Sequence, residues 1–311
     1  MTGAVGGPAS RITSEARGTW RVLAEYPDLA DDWMRLQAQS DGTPFTHWHW
    51  ISTWLEQLPA HIVPRVFRIE DAEGLLALAV AVDAPEHGKG RFFGRHSLRL
   101  QETGMDALDE ISVEYSGLLV RRGGEVAAYA ALFRALEGHW EGWRRFRITA
   151  TAHGPHIASA LHAGLHCYCV LSQPCCRVDL DRLRDSGKGY VDSLKRNFRH
   201  HLRQSLRAYE AHGPLKVEVA DSIGQALAWL DELRTLHERR WRSKGKEGSF
   251  SSDFFHDFHQ ALVRKGTGDG YVRLTRVSAG ALVVGYLYNL HWRGTVYFYN
   301  CGLNYGALPR Y

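Results

Sequence analysis

The stretch at residues 190–222, YVDSLKRNFRHHLRQSLRAYEAHGPLKVEVADS, decides how the chain is organised. It predicts one long helix over residues 190–211 and then a strand over residues 215–219. Leucine or phenylalanine recurs every four residues along the helix, which gives an apolar stripe for the core, and arginines flank the stripe. Gly213-Pro214 is a typical helix stop. The stretch therefore predicts a basic amphipathic helix that leads into a sheet.

Positive charge is concentrated around this helix. Residues 182–246 contain 15 Lys and Arg against 8 Asp and Glu, whereas the whole chain carries only +4 at pH 7. The net charge of the whole chain is too small to indicate nucleic-acid binding. The local excess of positive charge, however, suits an anionic ligand such as a nucleotide pyrophosphate, a lipid head group or RNA. A solvated helix face explains it equally well. Phe198 lies on the apolar stripe, so the helix lacks the interleaved aromatic side chains typical of RNA recognition.

Length and composition indicate a two-domain globular protein. The chain has 311 residues, of which 44% are hydrophobic and 23% charged, and roughly 100–200 residues per domain predicts two domains. We expect a flexible tail at 1–19, an N-terminal domain at 20–180 and a C-terminal domain at 181–311. The longest apolar run, residues 75–82, is far shorter than the roughly 20 residues of a membrane span.

The N-terminal ten residues lack the basic and apolar regions of a signal peptide. Five cysteines, an odd number, favour free thiols in a reducing compartment over a disulfide framework. We therefore expect a cytoplasmic protein without a transmembrane segment.

The N-terminal half predicts α/β layering. Two short helices lie near residues 33–36 and 44–55, and Trp50, Trp54 and Leu58 form an apolar stripe on the second. A hairpin over 62–69 and 75–82 turns at Gly74. Further strands are expected at 91–100, 116–120, 145–151 and 167–171, and further helices at 125–136 and 156–165.

The C-terminal half predicts two more helices and an antiparallel meander. Ser222 with Gln225 forms a capping box for a helix that reaches about Trp241, and Ser252 caps a helix with Phe255, Phe258 and Leu262 on its apolar face. Strands follow at 271–277, 282–291 and 295–301. Both halves pass from an aromatic helical segment into a hairpin, which indicates an internal repeat or a coincidence of two α/β halves. If the repeat is real, the second domain lacks its closing elements and the sequence is a fragment.

Histidines and cysteines cluster between residues 153 and 176, but their spacing does not match a structural zinc site. Side chains around a buried strand are the simpler interpretation, and we expect no metal. The sequence contains no G-x-S-x-G elbow, Walker loop or G-x-G-x-x-G motif, which removes most support for a hydrolase, a P-loop enzyme or a hydride transferase. The cluster comprises His153, His156, His162, His166, Cys167, Cys169, Cys175 and Cys176.

The last strands carry the polar side chains best suited to chemistry. Strand alternation predicts that Tyr297 and Tyr299 share one face while Phe298 and Asn300 share the other. On the preceding strand, Asn289 and His291 also share a face. Such groups can orient an amine or move a proton. They are also ordinary strand formers, so a structural role remains open.

The stretch at 190–222, with LHERRWRSKG at 236–245 and the hairpin that feeds a Tyr-rich strand, resembles a GNAT-type acetyltransferase domain. The resemblance is to the domain of CelD-like cellulose-biosynthesis and BioF2-like proteins, a group related to FemAB peptidyltransferases. PFTHWHWISTW at 44–54 and EYSGLLVRRGGE at 114–125 look like the less regular N-terminal half of the same family. The resemblance implies two GNAT-like folds in tandem, in the α/β class with mixed, mainly antiparallel central sheets.

The resemblance also implies a site and a reaction. Acetyl-CoA or another acyl-CoA, with no permanently bound cofactor, would lie along the strand at 295–301 and give its acyl group to an amine of a small-molecule or cell-envelope acceptor. In this view His291 or a water deprotonates the amine, Tyr299 protonates the thiolate and Asn300 assists. Donor binding is expected to involve Tyr297, Phe298, Cys301, Gly302, Arg199 and Arg203.

Two alternatives belong to other classes. A FemAB-like peptidyltransferase would take aminoacyl-tRNA and use the basic stretch for it. A non-catalytic accessory protein of exopolysaccharide production would bind no donor. Because the helix that anchors the donor pyrophosphate is expected beyond residue 311, we expect weak acetyl-CoA binding by the chain as given.

Overall fold

The computed structural model describes residues 15–85, 96–137, 143–162 and 164–307. The chain divides into two compact units, unit 1 at Met1–His166 and unit 2 at Cys167–Tyr311. Each unit layers helices on its own sheet, and most strand pairs are antiparallel. The expected α/β class with mainly antiparallel sheets is confirmed.

Unit 1 alternates strands and helices, with short 3₁₀ turns at Leu23–Glu25 and Pro44–Thr46. Its strands lie in the order β1-β2-β3-β4-β6, and β5 pairs with β3. The elements are β1 (Arg17–Val22), α1 (Leu29–Gln39), α2 (Trp48–Gln57), β2 (Pro64–Asp71), β3 (Gly74–Pro85), β4 (His96–Leu100), α3 (Asp106–Asp109), β5 (Leu119–Val120), α4 (Glu125–Glu137), β6 (Trp143–Arg147) and α5 (Gly154–Ala160).

The predicted hairpin forms at β2 and β3. Asp71 pairs with Gly74, whose φ of 100° is open to glycine at little cost. The Asp71 carboxylate accepts a hydrogen bond from the Glu73 backbone N–H at 2.9 Å, which supports the turn. The predicted stripe on α2 is also real, since Trp50 and Trp54 are buried. By contrast, β4 and β6 pair in parallel, which requires a crossover and places α4 between them in the chain.

Unit 2 is built around one four-stranded antiparallel sheet in the order β10-β9-β8-β7. Helices α9 and α10 pack on one face of the sheet, and a 3₁₀ turn at Ser249–Ser251 precedes α10. The elements are α6 (Leu180–Asp185), α7 (Tyr190–Ser193), α8 (Arg196–Glu210), β7 (Leu215–Val219), α9 (Ile223–Arg242), α10 (Asp253–Gly266), β8 (Val272–Ala279), β9 (Leu282–Trp292) and β10 (Thr295–Leu303).

Both predicted serine caps are present in unit 2. The Ser222 hydroxyl accepts the Gln225 N–H, and the Ser252 hydroxyl accepts the Phe255 N–H, each at 3.3 Å. These bonds satisfy one of the N–H groups that lack a partner in the first turn of a helix. They fix the starts of α9 and α10, which then cover the meander.

The two units repeat the same order of elements. Apart from an additional 3₁₀ turn between β1 and α1, unit 1 runs β1, α1, a 3₁₀ turn, α2, β2, β3 and β4, and unit 2 runs β7, α9, a 3₁₀ turn, α10, β8, β9 and β10. Adjacent strands also follow the same order across each sheet. This agreement in both sequence and sheet order supports the internal repeat.

The structure corrects the predicted long helix. The helix breaks after α7, because Leu194 and Lys195 adopt extended backbone with ψ of 151° and 149°. The Ser193 hydroxyl donates to the Tyr190 carbonyl at 2.6 Å, which competes with continuation of the helix. The apolar stripe of α8 is also not core-facing, since none of its residues is buried and Phe198 is 69% exposed.

Two other predictions are wrong. Residues 167–171 form no strand, and Tyr168, Val170 and Leu171 are exposed; an alternating pattern becomes a strand only where another strand pairs with it. Residues 17–19 belong to β1 rather than to a tail, because they pair with β2. The predicted residues 91–95 and most of the tail lie outside the described residues. In the described part of the chain, every helix is too short or too polar to cross a membrane.

Candidate active site

Strand β10 carries a β-bulge at the edge of the sheet of unit 2. It pairs with β9, and the register shifts between Phe298 and Asn300, so Tyr299 is the extra residue. Among the described residues, no strand pairs with the other side of β10. A bulge leaves the extra residue outside the ladder and redirects its side chain. This place therefore combines the edge of the sheet with a redirected tyrosine.

The bulge changes which side chains share a face. Phe298 pairs with Asn289, whereas Asn300 pairs with Tyr288, and paired residues lie on the same face. The prediction that Phe298 and Asn300 share a face is therefore wrong, because the extra residue resets the alternation. The side-chain oxygen Oδ1 of Asn300 accepts the Cys301 N–H at 2.7 Å.

Tyr299 reaches the face covered by helices. Its hydroxyl lies 3.1 Å from Nε2 of His259 on α10, and Nδ1 of His259 lies 3.1 Å from the hydroxyl of Tyr288 on β9. Burial lowers the pKa of His259 to about 3, with a smaller contribution from His256, so the imidazole is neutral at physiological pH. We call Tyr299, His259 and Tyr288 the relay.

His259 and Tyr288 were not identified as candidate site residues from the sequence. His259 lies on the apolar face of α10 between Phe255 and Leu262, and it is wholly buried. A histidine on an otherwise apolar stripe was the available signal. Tyr288 lies on a strand rich in strand-forming residues, so its sequence position gave no such signal.

His291 lies on the opposite face of the sheet from the relay. It pairs with Val296, one residue along from Leu290 and Tyr297 on the helix-covered face. Burial lowers the pKa of His291, and Arg273 lowers it further. The structure therefore does not bring His291 and Tyr299 together on one side of the sheet.

The remaining β10 residues lie in three different environments. Tyr297 is half-buried, and burial and then Cys175 raise its pKa. Phe298 is 60% exposed. Cys301 is half-buried, and burial raises the pKa of its thiol. Gly302 lies beneath α9, so close packing alone accounts for a glycine there.

The two arginines predicted to bind the donor are engaged by residues that precede α8. Nη2 of Arg199 donates to the Leu194 carbonyl at 3.0 Å, and Nη2 of Arg203 donates to Asp192 at 2.9 Å. Among the described elements, α8 packs against α7 and has no extensive contact with β10. The structure does not bring these arginines to the bulge.

A second aromatic and histidine pair lies near the start of α10. Nε1 of Trp241 donates to Nε2 of His237 at 2.9 Å, and the His237 ring contacts Phe250 edge-on. Because the tryptophan N–H can only donate, Nε2 of His237 holds the lone pair. Burial lowers the pKa of His237.

The histidine and cysteine cluster of the sequence is dispersed. The Tyr129 hydroxyl lies 2.9 Å from Nδ1 of His153, inside unit 1. Cys167, Cys169, Cys175 and Cys176 are exposed thiols of unit 2. Within the described ranges, no group of three or more His, Cys, Asp or Glu side chains is placed to hold a metal ion.

Comparison with known proteins finds one family. Residues 196–311 match the model of the acetyltransferase (GNAT) domain, a span that runs from α8 through the relay and β10. No curated protein matches the chain. Among solved structures, a tandem GNAT protein from the clavulanic acid biosynthesis pathway, determined without acetyl-CoA, is 13% identical with a TM-score of 0.35, over 90% of this chain and 76% of that chain.

Proposed function

From the acetyltransferase-domain match of residues 196–311, we propose that the protein is an acyl-CoA-dependent N-acyltransferase. It takes acetyl-CoA or another acyl-CoA as cosubstrate and transfers the acyl group to the amine of a small-molecule or cell-envelope acceptor. The match carries this proposal, because it covers the strand that holds the bulge and the relay. We place the protein in the BioF2-like and CelD-like group, in the cytoplasm, with one GNAT-like fold in each of the two units.

The bulge on β10 supports acyl transfer. In the proposed complex the thioester carbonyl lies beside Tyr299 along the outer edge of β10, the last strand of the described sheet, and backbone N–H groups of that edge polarise it. Tyr297, Phe298 and Cys301 line the donor. Fixed backbone dipoles in a partly buried site stabilise the developing oxyanion more than water does.

Proton transfer follows from the two faces of the sheet. Tyr299 protonates the leaving thiolate on the helix-covered face. On that side a water accepts the proton of the attacking amine, since His291 lies on the other face. Asn300, which shares the face of Tyr288, orients the amine.

Turnover of acetyl-CoA by the full chain tests the proposal. The assay measures release of the CoA thiol and mass gain of the amine, across primary alkylamines, amino sugars and amino acids. We expect at least one amine to be acetylated. In Tyr299→Phe, kcat should fall by more than about threefold, as expected for loss of a proton donor. Tyr305→Phe, on an exposed tyrosine that follows β10, is the matched control.

Failure of all amines at millimolar acetyl-CoA, together with no acetyl-CoA binding detectable at that concentration, would exclude the proposed function. Acetyl-CoA binding without turnover would exclude the amine classes used and keep the donor assignment. A loss below about threefold in Tyr299→Phe would remove Tyr299 from the mechanism.

One observation favours a peptidyltransferase that uses aminoacyl-tRNA. Helix α8 carries Arg196, Arg199, Arg203 and Arg207 with no acidic residue until Glu210. Filter binding of tRNA at increasing salt distinguishes the two functions, because neutralised phosphates give a steep salt dependence. Binding that is absent at low salt would exclude this second candidate.

A further inference from the structure

We propose that His259 is a positioning residue for Tyr299: held by Tyr288, it donates its Nε2–H to the Tyr299 oxygen and turns the Tyr299 O–H outward to the reacting sulfur. This inference rests on the proposed acyltransferase function and adds two residues, one on α10 and one on β9, to the site on β10. Neither residue was found from the sequence.

The geometry places the two tyrosine oxygens at opposite nitrogens of one imidazole. Tyr299 lies 3.1 Å from Nε2 and Tyr288 lies 3.1 Å from Nδ1. The His259 ring also contacts the rings of both tyrosines, with centroids 5.0 and 5.3 Å away. The ring orientation is therefore fixed by packing as well as by hydrogen bonds.

Burial of Tyr288 decides which nitrogen carries the proton. Tyr288 is 0% exposed, and in the described part of the chain its hydroxyl has Nδ1 of His259 as its hydrogen-bond partner. If Nδ1 carried the proton, the Tyr288 O–H would be left buried without an acceptor, which is costly. The favoured arrangement is thus Tyr288 O–H donating to Nδ1, with the imidazole proton on Nε2.

This tautomer determines the role of Tyr299. The Nε2–H group of His259 donates to the Tyr299 oxygen. The Tyr299 O–H therefore does not donate to His259 and points away from the imidazole. Tyr299 is only partly buried, so in the proposed complex the donor sulfur can reach that proton. The same Nε2–H then stabilises the phenolate that Tyr299 becomes after donation.

The proton balance of the step closes with the groups named. The amine nitrogen forms a bond to the acyl carbon, the carbon–sulfur bond breaks, and the electron pair stays on sulfur. The Tyr299 proton moves to that thiolate and gives free CoA. The proton released by the amine reaches the Tyr299 phenolate through water, so His259 stays neutral throughout.

Nitrogen NMR of the chain labelled with ¹⁵N-histidine tests the tautomer without any substrate. The protein has 17 histidines, and the His259 signals are assigned by their loss in His259→Gln. We expect an unprotonated Nδ1 and a protonated Nε2 in the wild type, and loss of that preference in Tyr288→Phe. A protonated Nδ1 in the wild type would overturn the inference.

A double-mutant cycle tests the action through Tyr299. With acetyl-CoA and the amine acetylated fastest by the wild type, His259→Phe should lower kcat about tenfold and leave KM for acetyl-CoA within about twofold. In the Tyr299→Phe background the same substitution should lower kcat by less than about twofold, because the interaction is already absent. His256→Gln, on the same helix and bonded to Asp231, is the control.

The outcomes separate this inference from the proposed function. Equal losses in both backgrounds would make His259 a core residue and overturn its positioning role, while turnover by the wild type would keep the acyltransferase. Where His259→Phe does not fold, Tyr288→Phe replaces it in the cycle. Absence of any turnover would overturn the catalytic use of the relay together with the proposed function, and the NMR result would still decide the tautomer.

Discussion

Gly302 on β10 lies directly against the backbone of Leu233 on α9, because a Cβ built on Gly302 would be 2.4 Å from the Leu233 carbonyl oxygen. Helix and strand thus approach each other at backbone distance. The neighbouring contact between Trp229 and Tyr286, with ring centroids 6.0 Å apart, packs the same face. Helix α9 can lie this close to the sheet because glycine at position 302 has no side chain.

We expect Gly302→Ala to lower the free energy of unfolding by about 1–3 kcal/mol, the usual cost of forcing atoms into a packed core. Thermal unfolding followed by circular dichroism measures the change. The matched control is Gly224→Ala in the first turn of α9, where a Cβ meets nothing within 4 Å. An unchanged melting temperature in Gly302→Ala would contradict the close approach.

Asp32 on α1 should stabilise unit 1 through its charge. It is buried and accepts hydrogen bonds from Tyr26, Arg35 and Arg68. Burial would raise the pKa of Asp32, but the bond from Tyr26 and the charge of Arg68 outweigh it and lower the pKa. We expect Asp32→Asn to cost about 3 kcal/mol at neutral pH, because Arg68 then loses its buried partner.

The lowered pKa of Asp32 determines the direction in which the stability of unit 1 changes with pH. A lowered pKa in the folded state means that the Asp32 contribution is present above the unfolded value of about 3.9 and is lost as pH falls through the folded pKa. Urea titrations from pH 7 to pH 2 should show this loss in the wild type and a smaller one in Asp32→Asn. Glu70→Gln, on a half-exposed partner of Arg68, should cost less than about 1 kcal/mol.

Phe198 should contribute little to stability although it lies on the apolar stripe of α8. It is 69% exposed, so Phe198→Ala removes few packing contacts. We expect a change below about 0.5 kcal/mol in urea unfolding. Leu202→Ala, on the half-buried part of the same stripe, should cost more. A large loss in Phe198→Ala would place the stripe in a core.

The five cysteine thiols should form two classes that differ in their rate of reaction with a disulfide reagent. Cys167, Cys169, Cys175 and Cys176 are exposed, whereas Cys301 is half-buried and burial raises the pKa of its thiol. A disulfide reagent at pH 7.5 should therefore modify four thiols rapidly and one slowly, since the thiolate is the reactive form. Cys301→Ala should remove the slow phase alone. A fast Cys301 would contradict its burial.

Much of the fold follows from local sequence patterns. The two hairpins, the caps at Ser222 and Ser252 and the aromatic helix at Trp50 and Trp54 lie where periodicity and turn residues predict them. Strand β1 was missed because residues 17–22 show no strong alternation, and its strand state depends on pairing with β2. The predicted strand at 167–171 is wrong because no strand among the described residues pairs with that segment.

The candidate site was only partly predictable. The sequence directs attention to Tyr299 and to the strand that holds it, but strand alternation carries no sign of the bulge that separates Phe298 from Asn300. The relay depends on a contact between residues 40 positions apart, Tyr299 and His259, and on a further one across 29 positions. Long-range contacts of this kind depend on how α10 packs on the sheet rather than on the spacing of residues.

The repeated order of elements gives the chain two versions of one architecture, and they differ at the strand that holds the candidate active site. In unit 1 the pairing of β4 with β3 runs without a shift from Ala81 to Pro85, whereas its counterpart β10 contains the bulge. A duplicated ancestor explains the difference simply: after duplication one copy acquired a bulge on this strand while the other kept an unshifted pairing of β4 with β3, so mutations at matching positions should be tolerated unequally.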